Sequence, residues 1–173
     1  MIASEPSEWE ALEGAEAIAD QWLNESGLVA RITYKGSRAC YAPGSDSLRM
    51  PERDRFEQSA EYYGTLFHEL THSTGHEYRL NRFESGSFGT DPYAREELVA
   101  EMGAAFLCGE CGIHGEVEEN SAAYIQGWLK CLKGDKKLIA GAAAAAQKAS
   151  DLILGRKWEA KTAEEDAVQP LSV

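Results

Sequence analysis

The chain has 173 residues, 43% of them hydrophobic and 27% charged, which suits one soluble domain with a sizeable core. Its formal net charge of -12 repels phosphate rather than neutralising it, so non-specific binding to a nucleic-acid backbone is not expected of this domain alone. The acids are interrupted by lysines along the chain, which also argues against a surface that imitates DNA.

Ser7-Glu8-Trp9-Glu10 reads as a capping box, and Trp9, Leu12, Ala15, Ile18, Ala19, Trp22 and Leu23 follow at helical spacing up to Gly27. Leu28 to Tyr34 is β-branched and partly alternating, hence a strand. Lys35-Gly36-Ser37 suggests a hairpin into a second short strand, Ala39 to Ala42. Ser47 to Met50 can form a third strand, stopped by Pro51. From about Glu52 to Thr74 the pattern is helical, with Gly75 placed to close the helix. Asn81 to Asp91 reads as a loop, Pro92 to Leu107 as a helix, and Asn120 or Ser121 can cap another through Leu132. A last helix runs from Asp135 to Gly155. These elements predict an α+β fold, mainly helical with a small N-terminal antiparallel sheet. Residues 1–155 form one domain and 156–173 a polar, disordered tail.

The first 20 residues carry six acids and no basic residue, and the most apolar run, Leu138 to Ala146, is far short of the roughly 20 residues a bilayer span needs. The chain is therefore read as cytoplasmic, with no membrane partner. Cys40, Cys108, Cys111 and Cys131 read as free thiols there. Cys108-Gly-Glu-Cys111 lacks a second pair at similar spacing and reads as core packing.

The chemistry centres on His68-Glu69-Leu70-Thr71-His72. Histidines four residues apart on a helix differ by about 40° in direction, so both imidazoles can reach one zinc ion. Glu69 sits beside the first of them, offset from the metal and placed to act as general base on water that zinc has acidified. Three of the four histidines fall between positions 68 and 76, on or just after a helix made bulky by Tyr62, Tyr63, Leu66 and Phe67. A buried helix with His, Glu and His but no ligand leaves polar groups to satisfy.

The third ligand must come from elsewhere. Tyr93 to Glu101 offers three carboxylates, of which Glu97 and Glu101 share a helix face with the small residues Ala104, Ala105 and Cys108. Glu97 is read as the zinc ligand and Glu101 as the partner of a ligand histidine. Glu96, about 100° round the helix, is the alternative ligand. His76 comes two residues too early for the third histidine of a longer HExxHxxGxxH motif, where Tyr78 stands instead; loop residue, substrate contact and ligand all stay open for it. Tyr78, Arg79, Tyr93, His114 and Tyr124 are candidates for oxyanion stabilisation.

Tyr41-Ala42-Pro43, the run Tyr63 to Arg82 around the motif, Phe88-Gly89, the run Tyr93 to Cys108 and Tyr124-Ile125-Gln126-Gly127-Trp128-Leu129 together resemble the zincin-like metallopeptidase domain of ArdC-type antirestriction proteins. The resemblance spans roughly Trp9 to Leu154. It implies a zinc-binding peptidase fold of plasmids, phages and related mobile elements, with His68, Glu69, His72 and the Glu97 region in the roles above. ArdC-type proteins usually carry an N-terminal domain that binds single-stranded DNA, which nothing before Trp9 can supply. The expectation is a zinc metallopeptidase with one Zn2+ per chain and a protein or peptide substrate. The rival reading is a non-catalytic binding protein stabilised by zinc.

Overall fold

The computed structural model describes residues 11–83, 91–113, 125–127, 130 and 136–156. The first helix, α1, spans Glu13–Glu25 and buries Ala15, Ala19, Trp22 and Leu23, the inward stripe that its spacing predicts. The capping box at Ser7 lies outside the described residues. Leu28–Ala30 is a short 3-10 turn that drops Leu28 into the core, so β1 is only Ile32–Tyr34. β2 is Cys40–Ala42 and β3 is Ser47–Met50.

The sheet is mixed rather than antiparallel. Its order is β1-β3-β2, with β1 parallel to β3 and β2 antiparallel to β3. The expected hairpin at Lys35-Gly36-Ser37 is therefore a link that steps over one strand position. The hairpin lies one connection later, where Pro43–Ser45 and a left-handed Asp46 return the chain from β2 to β3. Burial explains the order: β3 carries Leu48 and Met50, almost wholly enclosed, and so takes the centre. β2 is left at an edge, beside the motif helix.

That helix, α2, spans Ser59–Ser73 and starts later than its periodicity suggests. Arg53–Arg55 is a 3-10 turn, and Phe56 and Gln58 are extended. The break lets Phe56 fold back edge-on against Tyr62, with ring centroids 5.3 Å apart. Tyr62, Tyr63, Leu66, Phe67 and Leu70 are all buried in the main core. Glu16 of α1 accepts hydrogen bonds from Arg53 at 2.5 Å and from the Tyr63 hydroxyl, tying α1 to this helix.

α3 spans Asp91–Glu110 and α4 spans Lys136–Ile153; residues 125–127 are also helical. α3 lies between α2 and α4. Ala94, Leu98 and Val99 pack on Ala142 and Ala146 of α4, while Ala104, Leu107 and Cys108 join the main core. α2 and α3 meet closely where Gly103 faces Thr71. A Cβ there would stand 2.5 Å from Thr71 Cγ2 and 2.7 Å from Thr71 Oγ1, so only glycine fits. Cys108 is buried and Cys111 half-buried, as core packing predicts. Among the described residues no helix is long and apolar enough to cross a membrane.

Candidate metal centre

His68 and His72 stand one turn apart on α2 and face α3. Their rings lie 4.8 Å apart at 80°, and their Nε2 atoms converge to 3.1 Å. Glu97 reaches the same point from α3, with Oε2 3.6 Å from His68 Nε2 and Oε1 3.8 Å from His72 Nε2. The three donors all lie within 4.8 Å of one another. On a tetrahedral cation with Zn–N bonds of about 2.0–2.1 Å, two nitrogens stand roughly 3.3 Å apart. The spacing and the two-nitrogen, one-oxygen donor set both fit a zinc-sized divalent ion.

The far sides of the imidazoles support that fit. His68 Nδ1 lies 3.4 Å from Glu101 Oε1, and His72 Nδ1 lies 3.1 Å from Glu96 Oε1. A carboxylate at Nδ1 holds the proton there and leaves the Nε2 lone pair facing the shared point. Glu96, the alternative ligand, is thus placed behind His72. Both its oxygens are gripped by Arg82, through Nε to Oε2 and Nη2 to Oε1, each at 2.8 Å.

Charge is concentrated here. Burial alone would raise the Glu97 carboxyl, but the hydrogen bond to His68, the His72 charge and the Tyr93 hydroxyl hold it below its ordinary value. Glu96 is likewise lowered against its burial, by Arg82 and His72. Burial lifts Glu101, with the Glu97 charge adding to it. Burial would lower His68, yet the hydrogen bond to Glu97 and the charges of Glu101 and Glu69 raise it. Such a gathering of acids around two imidazoles favours a cation.

Glu69 is buried and lines the same cleft, a cavity of about 530 Å³ walled by Cys40, Tyr41, Phe83, Tyr93 and the histidine pair. Its Oε2 accepts a 2.6 Å hydrogen bond from the backbone N–H of Tyr41 in β2. Of the oxyanion candidates, Tyr93 lines the cleft and hydrogen-bonds Glu97, its hydroxyl pushed up to about 12 by burial and that carboxylate. Arg79 is occupied elsewhere, and Tyr78 is 85% exposed and outside the cleft lining. His114 and Tyr124 lie outside the described residues. His76 sits in the loop after α2, its ring against Tyr78 and away from the histidine pair's cleft.

A second polar cluster backs the cleft. Asp46 accepts from the Tyr41 hydroxyl at 2.6 Å and from Arg79 Nη1 and Nη2 at 2.8 Å each, and it pairs with Arg31 at 2.9 Å. Arg79 also donates to the Ser73 carbonyl at 2.7 Å, so the loop after α2 is bolted to the β2–β3 hairpin. Gly75 closes α2 as expected, though the reason is space: a Cβ would meet Phe83 Cζ at 3.0 Å and Arg82 Nη2 at 3.1 Å.

The sequence reading missed three participants. The Tyr41 N–H has no side-chain signature. Arg82 and Asp46 are single charges in loops, and only the loop's return to the helix shows what they grip.

The pattern of the zincin-like metallopeptidase family matches residues 17–145, and this chain is a member of that family. Its relatives include DNA primase TraC of Escherichia coli, 43% identical over 147 residues that cover 84% of this chain and 10% of the primase. The uncharacterized protein y4eC of Sinorhizobium fredii is 35% identical over 156 residues, covering 90% of this chain and 51% of that protein. Among solved structures, the Mn(II)-bound antirestriction protein ArdC from plasmid R388 is 41% identical, with a TM-score of 0.64 over 88% of this chain and 52% of that one. Its metal-free structure gives a TM-score of 0.61. The chain thus spans about half the length of y4eC and ArdC, and a small part of the primase.

Proposed function

We propose that this domain is a zinc-dependent peptidase, with His68, His72 and Glu97 holding one cation and Glu69 acting as general base. The observation that carries the reading is the convergence of two Nε2 atoms at 3.1 Å with the Glu97 carboxylate, in a cleft that Glu69 also lines. When bound, zinc lowers the pKa of water at its open position to roughly 7 and polarises a carbonyl. Glu69 takes the proton of the attacking water and passes it to the leaving amine. The Tyr93 hydroxyl, beside Glu97, donates to the developing oxyanion. The edge of β2 offers main-chain groups against which an extended protein or peptide substrate aligns. The Mn(II) of the ArdC structure supports a divalent site, and the similarity to ArdC supports a role in antirestriction on a mobile element.

One contact favours a different reading, in which the cation only staples a binding module. The Tyr41 N–H engages Glu69 Oε2 at 2.6 Å, and a carboxylate oxygen so held pins β2 to the motif helix and is not free to meet a water.

The two readings part in one experiment: cleavage of an unfolded-protein or peptide library by zinc-loaded protein, beside Glu69→Gln whose zinc content is measured on the same preparation. The peptidase reading expects Glu69→Gln to keep its zinc and lose about 10²- to 10⁴-fold in rate. Full zinc with unchanged cleavage rules out Glu69 as the base. No cleavage by the wild type, with zinc bound, favours the staple.

A further inference from the structure

Arg82 makes more directed contacts than a loop tether needs. Its Nε and Nη2 fork onto the two oxygens of Glu96 at 2.8 Å each, Nη1 donates to Thr74 Oγ1 at 2.9 Å, and Nη2 also donates to the Thr71 carbonyl at 3.0 Å. The side chains of Arg82 and Glu96 are 11% and 14% exposed. The Glu96 oxygen that takes Nη2 is the same atom that faces His72 Nδ1 at 3.1 Å. Gly75 leaves the room in which the guanidinium sits, since a Cβ there would crowd Nη2 at 3.1 Å.

The chemistry of this chain is directional. A planar guanidinium binding both oxygens fixes the plane of a carboxylate as well as its position. A fixed carboxylate in turn fixes the imidazole whose N–H it accepts, and with it the direction of the opposite lone pair. The fork also has a negative consequence. Glu96 adjoins Glu97 in the chain, and a free carboxylate there can swing toward the same cation; with both oxygens occupied it cannot.

We propose that Arg82 is a positioning residue of the metal centre, acting through Glu96 to aim His72 Nε2 and to keep Glu96 off the cation. The proposal rests on the reading of His68, His72 and Glu97 as a metal site. It names a residue eight positions beyond the end of that ligand helix's C-cap as part of what makes the site accurate.

The test measures cation affinity, with no need for activity. Zinc affinity is read by competition with a chromophoric chelator, and ligand geometry by the visible absorption of the Co(II)-loaded protein. Arg82→Ala should lose about 10- to 100-fold in affinity, the range expected when the partner of a ligand histidine is disturbed. It should also change the Co(II) spectrum. Arg82→Lys, which keeps the charge but cannot fork, should recover only part of the loss and still show the altered spectrum. In the double variant Arg82→Ala/Glu96→Gln the affinity should fall no further than in Glu96→Gln alone, because both act along one line.

Wild-type affinity in Arg82→Ala, or losses that add in the double variant, would overturn the proposal while leaving the metal site standing. A melting temperature that falls in the metal-free variant with zinc affinity unchanged would show Arg82 to be a tether only. If Arg82→Ala does not fold, the comparison of Arg82→Lys with wild type decides the matter by the same spectrum. Wild-type protein that takes up neither zinc nor cobalt defeats the underlying metal reading, and this proposal with it.

Discussion

Among the described residues, two clusters of buried charge meet at Tyr41 of β2, and they are built to opposite ends. Around Asp46 one carboxylate meets two guanidinium groups and a phenol, and every contact closes at 2.6 to 2.9 Å. Around His68 and His72 the carboxylates of Glu69, Glu96, Glu97 and Glu101 crowd two imidazoles, and the Glu97 oxygens stand off from the two Nε2 atoms at 3.6 and 3.8 Å. The first cluster is complete as it stands and acts as a clamp. The second is the one that we propose a cation completes. Buried charge by itself marks neither function nor structure; the test is whether the partners already satisfy one another.

The comparison is broken most severely at the histidines. His68→Ala or His72→Ala should abolish the bound divalent ion, while Asp46→Asn should leave it at the wild-type level. Elemental analysis of the three purified proteins checks this, and loss of the ion in Asp46→Asn would erase the distinction between the clusters.

A smaller effect separates two acids of α3. Glu97→Ala should weaken zinc binding by more than Glu101→Ala, for which the loss is expected at about 10- to 100-fold. Chelator competition on both variants decides it. A larger loss in Glu101→Ala would mean that the roles of these two carboxylates are exchanged.

The clamp should show in stability and its dependence on acid. Burial would raise the Asp46 carboxyl, but hydrogen bonds from Arg79 and Tyr41, with the charges of Arg79 and Arg31, lower it below its ordinary value. A carboxyl lowered in the folded state contributes stability that is present above the unfolded value of about 3.9 and is lost as pH falls through the folded one. Asparagine tolerates the left-handed backbone at this position, where φ is 44°. Asp46→Asn should therefore cost on the order of 2 kcal/mol near neutral pH, the scale of hydrogen bonds to a charged group. Its acid limb below about pH 4 should be flatter than that of the wild type. Urea unfolding at several pH values measures both, and parallel acid limbs would remove Asp46 from the account.

Much of this was legible in the chain. Helical periodicity placed α1, α2, α3 and α4 and put His68, His72 and Glu97 on facing helices. The spacing of Glu97 and Glu101 placed one toward the histidine Nε2 atoms and the other behind His68. Strand order was not legible, because three- and four-residue strands carry little pattern and the choice of centre depends on how Leu48 and Met50 find the core. Glu96 was left as an alternative ligand because its role depends on Arg82, which stands 14 positions earlier in the chain and shares no helix with it. The contact that orients Glu69 was invisible in principle, since it comes from a backbone N–H that every residue but proline possesses.

The meeting of Gly103 with Thr71 has a consequence for how this domain tolerates change. Gly103 lies six residues along α3 from Glu97, a rise of about 9 Å, and is not among the residues that line the cleft. Yet a single added methyl group would act as a wedge between the two helices, and the helix that it tips is the one bearing Glu97. The gap between the donors is therefore gauged at a distance, by a residue with no chemistry of its own. A mutational survey scored on metal uptake should find position 103 nearly as intolerant as the ligands themselves.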